Sequence, residues 1–263
     1  MAPIVPAVGI LVLQLVAFPM PVGAMASGAL LGLVGALGAL GLALIWRANR
    51  VINFAQGDLG VLPATLTVLL VVLSGVPWVI GVVAGLGAAI VVGLLADLLV
   101  IRRFFGAPRL LLTVATIGLA QVLAFGSLLL PQLWGEGAAI RALPPPFTWN
   151  GEFGGVVFDG NDLIALVVAP VLMFGLWILL RFTDTGVAVR ASADRAERAA
   201  LLGIPVRRLE LQVWTLATVL SFASVVLSAG ITTLPFGVGL GLLVVLRALA
   251  ALVIGRMTHL FAI

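Results

Sequence analysis

Polar side chains that could bind a small polar molecule are concentrated in residues 47–58 of this chain, RANRVINFAQGD. Asn53 and Gln56 bring amide groups to this stretch, and Asp58 brings a carboxylate. Gly57 permits a tight bend or a close approach of two backbones. The stretch separates two apolar segments without becoming a long hydrophilic loop, and unpaired polar groups are costly at a membrane boundary. Two interpretations follow from the residues alone: an ordinary interfacial turn, or a broken helix that lines a cavity.

A second candidate site is the charged stretch 183–208, TDTGVAVRASADRAERAALLGIPVRR, in a chain with only 9% charged residues. Asp194 and Arg198 have the i, i+4 spacing that stabilises a short helix, and Gly203 followed by Pro205 is a typical helix stop. A short exposed helix with an apolar strip and charged flanks suits a groove in a partner protein. The alternative is a solvated loop that binds nothing.

The elements that position these stretches are membrane helices. The mean hydropathy is +1.31, and several apolar runs approach or exceed the roughly 20 residues that span a bilayer. Such runs become helices because every backbone polar group needs an internal partner in hydrocarbon. They lack the alternation of strands in an outer-membrane barrel.

Composition also excludes several kinds of chemistry. The chain has no cysteine, so disulfides and thiolate sites are absent. Its 14 basic residues are arginines scattered between apolar segments, which favours contact with anionic membrane lipid and argues against nucleic acid. No P-loop, Ser/His/Asp set, pair of catalytic carboxylates or metal-ligand cluster is present. We therefore expect no enzymatic activity and no cofactor.

The sequence predicts an all-α polytopic transmembrane helical bundle with about eight membrane segments in a single domain, 1–263. The predicted segments are Ile4–Phe18, Ala24–Trp46, Leu59–Leu73, Trp78–Ile101, Leu110–Leu130, Leu163–Phe182, Leu211–Ser228 and Val238–Ile254. The third is short and is a candidate for a re-entrant segment. For the first, the alternative is a cleaved signal peptide, which the absence of arginine before Arg47 disfavours.

Arginine distribution predicts the orientation of these segments. Alternating them places residues 47–50, 102–109 and 181–208 on one side, and an acidic connection, 131–162, on the other. The positive-inside rule makes the first side cytoplasmic, together with the N-terminus, and makes the second an external loop. Within that loop Asn150-Gly151, between short apolar runs, indicates a small hairpin. Its two interpretations are a lid that ties helix ends together and a docking surface for an external partner.

Small and charged residues inside the predicted segments carry further expectations. Glycines indicate closely packed faces, or a face that meets another subunit; they are Gly28, Gly32, Gly35, Gly38, Gly41, Gly81 and Gly85. Asp97 is expected to pair near Arg102, and Gln121 to form an interhelical hydrogen bond. Arg247 lies in the middle of its segment, so it faces an aqueous cavity or a subunit interface, or else this segment is not a simple span.

The two candidate stretches resemble one known family. GLVGALGALGLALIWRANRVINFAQGDLG is similar to the opening region of the branched-chain amino acid permease family of ABC importers, where His usually stands at the position of Gln56 and Glu or Asp at that of Asp58. The loop 183–208 resembles the cytoplasmic loop of that family. The matching residues are Gly186, Arg190, Ala191, Ala200, Gly203 and Ile204. The resemblance covers about residues 29–228, so the C-terminal region is expected to depart from the family, through truncation or as a permease half.

The resemblance implies an inner-membrane permease subunit whose partners are two ABC ATPase subunits, a second permease subunit and an extracytoplasmic solute-binding protein. It implies that the substrate pathway or its gate contains Asn53, Gln56, Gly57 and Asp58. It implies that the coupling helix in loop 183–210 meets the ATPase through Gly186, Arg190, Asp194, Gly203 and Ile204. The implied cargo is a branched-chain amino acid or a related small amide.

Other functions stay open at this level. One is a nucleotide-independent secondary transporter or channel for a small polar solute, which would ignore loss of an ATPase. Others are an assembly or scaffold protein, and a nonfunctional remnant.

Overall fold

A computed structural model describes residues 21–104, 107–136, 140–184, 186–189, 205–235 and 240–254. Seven α-helices of 15 residues or more occupy most of these ranges. The helices are α1 (Val22–Asn49), α2 (Gln56–Val72), α3 (Trp78–Leu95), α4 (Arg109–Leu129), α5 (Gly160–Phe182), α6 (Val206–Ile231) and α7 (Leu240–Ile254). The strands are β1 (Ile140–Arg141), β2 (Asn150–Phe153), β3 (Val156–Asp159) and β4 (Leu234–Pro235), paired antiparallel as β1–β4 and β2–β3.

Five of the helical segments are long and apolar enough to cross a membrane: Val22–Asn49, Trp78–Phe104, Arg109–Trp134, Gly160–Phe182 and Arg207–Ile231. Helices α2 and α7 are shorter apolar helices. The predicted all-α polytopic class is confirmed. Seven of the eight predicted segments correspond to these helices, and the first, Ile4–Phe18, lies outside the described residues.

The bundle has two ends with different chemistry. At the hairpin end, which contains residues 140–159, the Gly23 amide at the start of α1 donates to the Gly154 carbonyl over 3.3 Å. The Asn161 side chain donates there to the carbonyls of Leu143 and Gly230, at 2.9 and 3.3 Å. The opposite end, where α1, α3 and α5 finish and α4 and α6 begin, we call the arginine end. Its arginines are Arg47, Arg50, Arg102, Arg103, Arg109, Arg181, Arg207 and Arg208.

Helix α6 is the centre of the bundle, because it packs against α1, α2, α3 and α5. Small residues permit this packing: a Cβ on Gly85 of α3 would overlap Thr67 and Phe222, and one on Gly41 would overlap Gln56 and lie 2.9 Å from the Ala217 carbonyl. The prediction of close packing therefore holds at these glycines. At Gly28, Gly32 and Gly35 an added Cβ would meet no described atom within 4 Å, so these glycines do not pack against the described helices. The alternative for them, a face that meets another subunit, stays a prediction.

Helix α3 continues into one π-helical turn, Ala96–Val100, and a 3₁₀ turn, Ile101–Phe104. The π-helix has i→i+5 hydrogen bonds, so residues five apart lie near one another. Asp97 and Arg102 have this spacing, and Arg102 Nε donates to Asp97 Oδ2 over 2.8 Å. The expected pairing of Asp97 with Arg102 is confirmed.

The predicted hairpin exists, but its turn is not at Asn150-Gly151. Asn150 pairs with Asp159 as part of the β2–β3 ladder, and the turn lies at Gly154-Gly155. Both glycines have positive φ, 55° and 80°, as a two-residue turn that matches the strand twist requires. Strand β3 leads directly into α5 through a reciprocal capping box of Asp159 and Asp162.

Candidate functional site

The candidate pathway residues lie where the chain re-enters the bundle after α1. Arg50 adopts the left-handed conformation, with φ 54° and ψ 35°, and ends α1. Residues 51–55 then run back into the bundle, and α2 begins at Gln56. Gly57 and Asp58, predicted to lie outside the apolar segment, form the first turn of α2.

Two amide side chains organise this re-entry. Asn53 and Gln56 are both fully buried. Asn53 Nδ2 donates to Gln56 Oε1 over 3.2 Å, and Asn53 Oδ1 accepts from the Ala55 amide over 3.0 Å. Gln56 Nε2 donates to the Ala217 carbonyl over 3.0 Å, and the Gln56 carbonyl accepts from Ser221 Oγ over 2.6 Å. The network joins the start of α2 to the middle of α6.

Helix geometry gives the depth of this network. Gly41 contacts Gln56. Gly41 lies eight residues before the end of α1, which is about 12 Å along the axis of that helix. Thr116 Oγ1 accepts from the Phe54 amide over 3.1 Å and lies seven residues, about 10 Å, from the start of α4. Ala217 lies 11 residues, about 16 Å, from the start of α6. Since a hydrocarbon core is about 30 Å thick, α2 begins in the interior of the bundle. This position agrees better with a broken helix than with an interfacial turn; that the segment lines a cavity stays a prediction.

The other side of the α2 start contacts α7. A Cβ on Gly57 would overlap the backbone of Gly241, and a Cβ on Gly241 would overlap the Asp58 carboxylate. Helices α2 and α7 therefore approach this closely only because positions 57 and 241 carry no side chain. Asp58 itself is only 7% exposed.

In this conformation the polar side chains of Asn53 and Gln56 are bonded to each other and to other groups of the protein, and they are not available to a solute. Both amide side chains of the network have protein partners, so a solute would reach them only after α2 and α6 separate. Within the described ranges no group of three or more His, Cys, Asp or Glu residues suits a metal ion.

Of the predicted coupling residues, only Gly186 lies in the described part of the chain. Its amide donates to Thr183 Oγ1 over 3.2 Å, and a Cβ there would overlap the Leu180 carbonyl. The chain after α5 thus turns back tightly against the end of that helix. Arg190, Asp194, Gly203 and Ile204 lie outside the described residues.

Several participants in the site were not predicted from sequence. Ser221, Thr116 and the Ala217 carbonyl belong to helices far from Gln56 in the chain, and ordinary serines, threonines and backbone groups carry no distinctive signal. Gly241 could have been noted as a helix glycine. Gln121, for which an interhelical bond was expected, is exposed on α4 and bonds to no described residue.

A sequence model of the family described as "Branched-chain amino acid transport system / permease component" matches residues 24–263. The chain belongs to this family. The predicted family resemblance is therefore confirmed, and the chain is a multi-pass membrane permease. The match continues past Ser228 to residue 263, so the resemblance does not end at residue 228 as expected. The truncation or permease half expected for this region stays a prediction.

Curated relatives of this permease have related names. The high-affinity branched-chain amino acid transport system permease protein BraD of Pseudomonas aeruginosa is 27% identical over 241 residues, 87% of this chain and 77% of BraD. The probable branched-chain amino acid transport permease protein LivH of Methanocaldococcus jannaschii is 28% identical over 235 residues, 84% of this chain and 70% of LivH. The fructose import permease protein FruG of Bifidobacterium longum is 31% identical over 192 residues, 69% of this chain and 52% of FruG. No solved structure matches the permease.

Proposed function

We propose that this permease is the membrane-spanning subunit of an ABC importer that translocates branched-chain amino acids or related small amides, driven by partner ATPases. The observation that carries the proposal is the closed amide network of Asn53 and Gln56, buried in the interior of a bundle that belongs to a permease family. Polar groups at that depth are costly unless they have a function or complete hydrogen bonding.

In this proposal the start of α2 is a gate. Gln56 holds α2 to α6 through the Ala217 carbonyl, and Gly57 permits the contact of α2 with α7. A rearrangement that separates α2 from α6 would expose the two amides and the Asp58 carboxylate to the pathway. These groups would then replace part of the hydration shell of a polar solute.

The driving motion enters at the arginine end. Helix α6 begins immediately after the loop 183–205, which holds the proposed coupling residues, and α6 contacts four other helices. A displacement of that loop by an ATPase would therefore move the helix that carries the Ala217 carbonyl. The concentration of arginines supports a cytoplasmic location for this end under the positive-inside rule, and the membrane of the proposal is the inner (cell) membrane. The importer would also contain a second permease subunit and an external solute-binding protein.

The cargo is proposed from the relatives. BraD and LivH are named for branched-chain amino acids, whereas FruG is named for fructose. The first two cover more of this chain, so amino acids or small amides are the proposed cargo and a sugar is the specific competitor.

A pull-down from the native membrane tests the coupling. We expect an ATPase to copurify with the tagged permease and to be lost in the double variant Arg190→Glu with Gly203→Asp. The control is Glu152→Arg, a charge reversal on the exposed hairpin at the opposite end, which should retain the ATPase. If neither wild type nor variant recovers an ATPase, the proposal is wrong and a nucleotide-independent transporter is supported.

An uptake assay tests the proposed cargo. The purified complex in liposomes, supplied with ATP, should take up leucine in preference to fructose.

A further inference from the structure

Arg247 lies on the outward face of α7. It is exposed, as are Leu243 and Leu246 beside it, which are 54% and 51% exposed. The opposite face of α7 is fully packed, with Val245 and Leu252 both 0% exposed. The single cation of this helix therefore points away from the bundle.

Arg247 has no ion pair or hydrogen bond with any described residue. The ion pairs Asp97–Arg102 and Glu136–Arg141, which join described residues, do not involve Arg247. Arg247 also lies seven residues from each end of α7, about 10 Å along the axis. A guanidinium at the middle of a membrane helix that faces lipid costs roughly 2.5–3.5 kcal/mol. The face around Arg247 is therefore expected to meet water or an anion in the assembled protein.

The location of α7 connects this face with the candidate gate. Gly241 touches Gly57 and Asp58 at the start of α2, and Arg247 follows Gly241 by six residues, about 9 Å along the same helix. Six residues also separate the two positions by about 120° around the helix, so a solute at the start of α2 would reach the guanidinium by passing around α7 as well as along it.

We propose that the outward face of α7 lines the solute pathway and that Arg247 binds the carboxylate of the transported amino acid. This inference rests on the proposed function. A guanidinium donates two parallel hydrogen bonds to a carboxylate, and a neutral sugar offers no such anion. The contact also supplies Arg247 with the counter-ion that the described part of its own chain lacks.

The absence of cysteine in the chain allows a direct test of the pathway. Ala250 is exposed one turn after Arg247, and we would introduce Ala250→Cys into the complete transporter in native membranes. We expect the thiol to react with water-soluble methanethiosulfonates. The anionic reagent should react about tenfold faster than the cationic one, because the neighbouring guanidinium attracts it. Adding Arg247→Gln should remove that preference. The control Ala248→Cys, 2% exposed on the packed face, should not react.

Recognition of the carboxylate is tested in the same variant. Leucine should slow the labelling of Ala250→Cys, leucinamide should slow it less, and Arg247→Gln should abolish the protection by leucine. Arg247→Lys keeps the charge but loses the paired donors of the guanidinium, so it should retain only part of the protection.

Three results would overturn the inference. The first is an unreactive thiol at position 250, which would mean that lipid or a subunit covers this face. The second is equal reaction with both reagents. The third is loss of the second permease subunit in Arg247→Gln but not in Leu243→Gln, which would place Arg247 in a subunit contact. If wild type takes up fructose and no amino acid, the proposed cargo is wrong as well. If wild type takes up leucine but leucine still protects Ala250→Cys in the presence of Arg247→Gln, only the inference about Arg247 is wrong.

Discussion

Gln56 and Ala217 are separated by 161 residues in the chain, yet Gln56 Nε2 donates to the Ala217 carbonyl over 3.0 Å. Because that carbonyl lies in the interior of α6, the bond fixes where α2 begins. It converts a connection between two membrane helices into a re-entrant segment with a polar start.

Gln56→Ala should destabilise the permease in detergent. The change leaves Asn53 Nδ2 without its partner and removes the bond to Ala217 in a fully buried site, which costs roughly 1–3 kcal/mol. Thermal unfolding monitored by circular dichroism measures the effect. Gln132→Ala, at an exposed site at the hairpin end, is the control and should leave Tm unchanged. Equal unfolding temperatures for Gln56→Ala and wild type would show that the network contributes no stability.

Gly41→Ala and Gly35→Ala should differ although both glycines lie in α1. A methyl group at position 41 would overlap Gln56 and press on the Ala217 carbonyl, which costs roughly 1–3 kcal/mol through forced shifts in packing. At position 35 an added methyl meets nothing within 4 Å, and alanine has the higher helix propensity. Chemical unfolding of the isolated chain compares them. Identical behaviour of the two variants would contradict the close approach of α1 and α6.

Arg102→Gln should destabilise the arginine end more than Arg103→Gln. Loss of the Arg102 guanidinium leaves the fully buried Asp97 carboxylate without its bonded cation. The cost is roughly 1–3 kcal/mol, less than for a fully buried pair because the Arg102 side chain is 38% exposed. Arg103 is the neighbouring exposed arginine and forms no ion pair with a described residue.

Unfolding in detergent measures the stability of Arg102→Gln and Arg103→Gln. A double-mutant cycle that combines Arg102→Gln with Asp97→Asn measures the coupling energy of the ion pair. A coupling energy of zero in that cycle would mean that the ion pair does not form in solution. Glu210 of α6 also interacts electrostatically with Asp97, Arg102 and Arg207, so adding Asp97→Asn to Arg102→Gln is expected to recover only part of the lost stability.

Asn161→Asp should loosen the hairpin end. The Asn161 amide donates to the carbonyls of Leu143 and Gly230, and a carboxylate would place a further acceptor against both, at a cost of roughly 1–3 kcal/mol. Hydrogen exchange should accelerate at the end of α6 and around Leu143. Asn150→Asp, an identical change at an exposed strand position, should leave exchange there unaltered. Protection that is the same in both variants would rule out a tie between these segments.

The sequence was sufficient to predict the membrane class, the approximate helix positions and the family, because these depend on local hydrophobicity and on short motifs. It also identified Asn53, Gln56, Gly57 and Asp58 as unusual, since polar residues between apolar runs stand out in composition. The pairing of Asp97 with Arg102 followed from their closeness in the chain.

The contacts that those residues make could not be predicted and depend on the tertiary structure. The depth of the α2 start depends on contacts with Ala217, Ser221 and Thr116, whose partners are 62–165 residues away in the chain. Similarly, the glycines of α1 look alike in sequence, but Gly41 faces α6 and Gly35 faces outward. Such distinctions arise from the mutual placement of helices, which is set by long-range packing and not by local pattern.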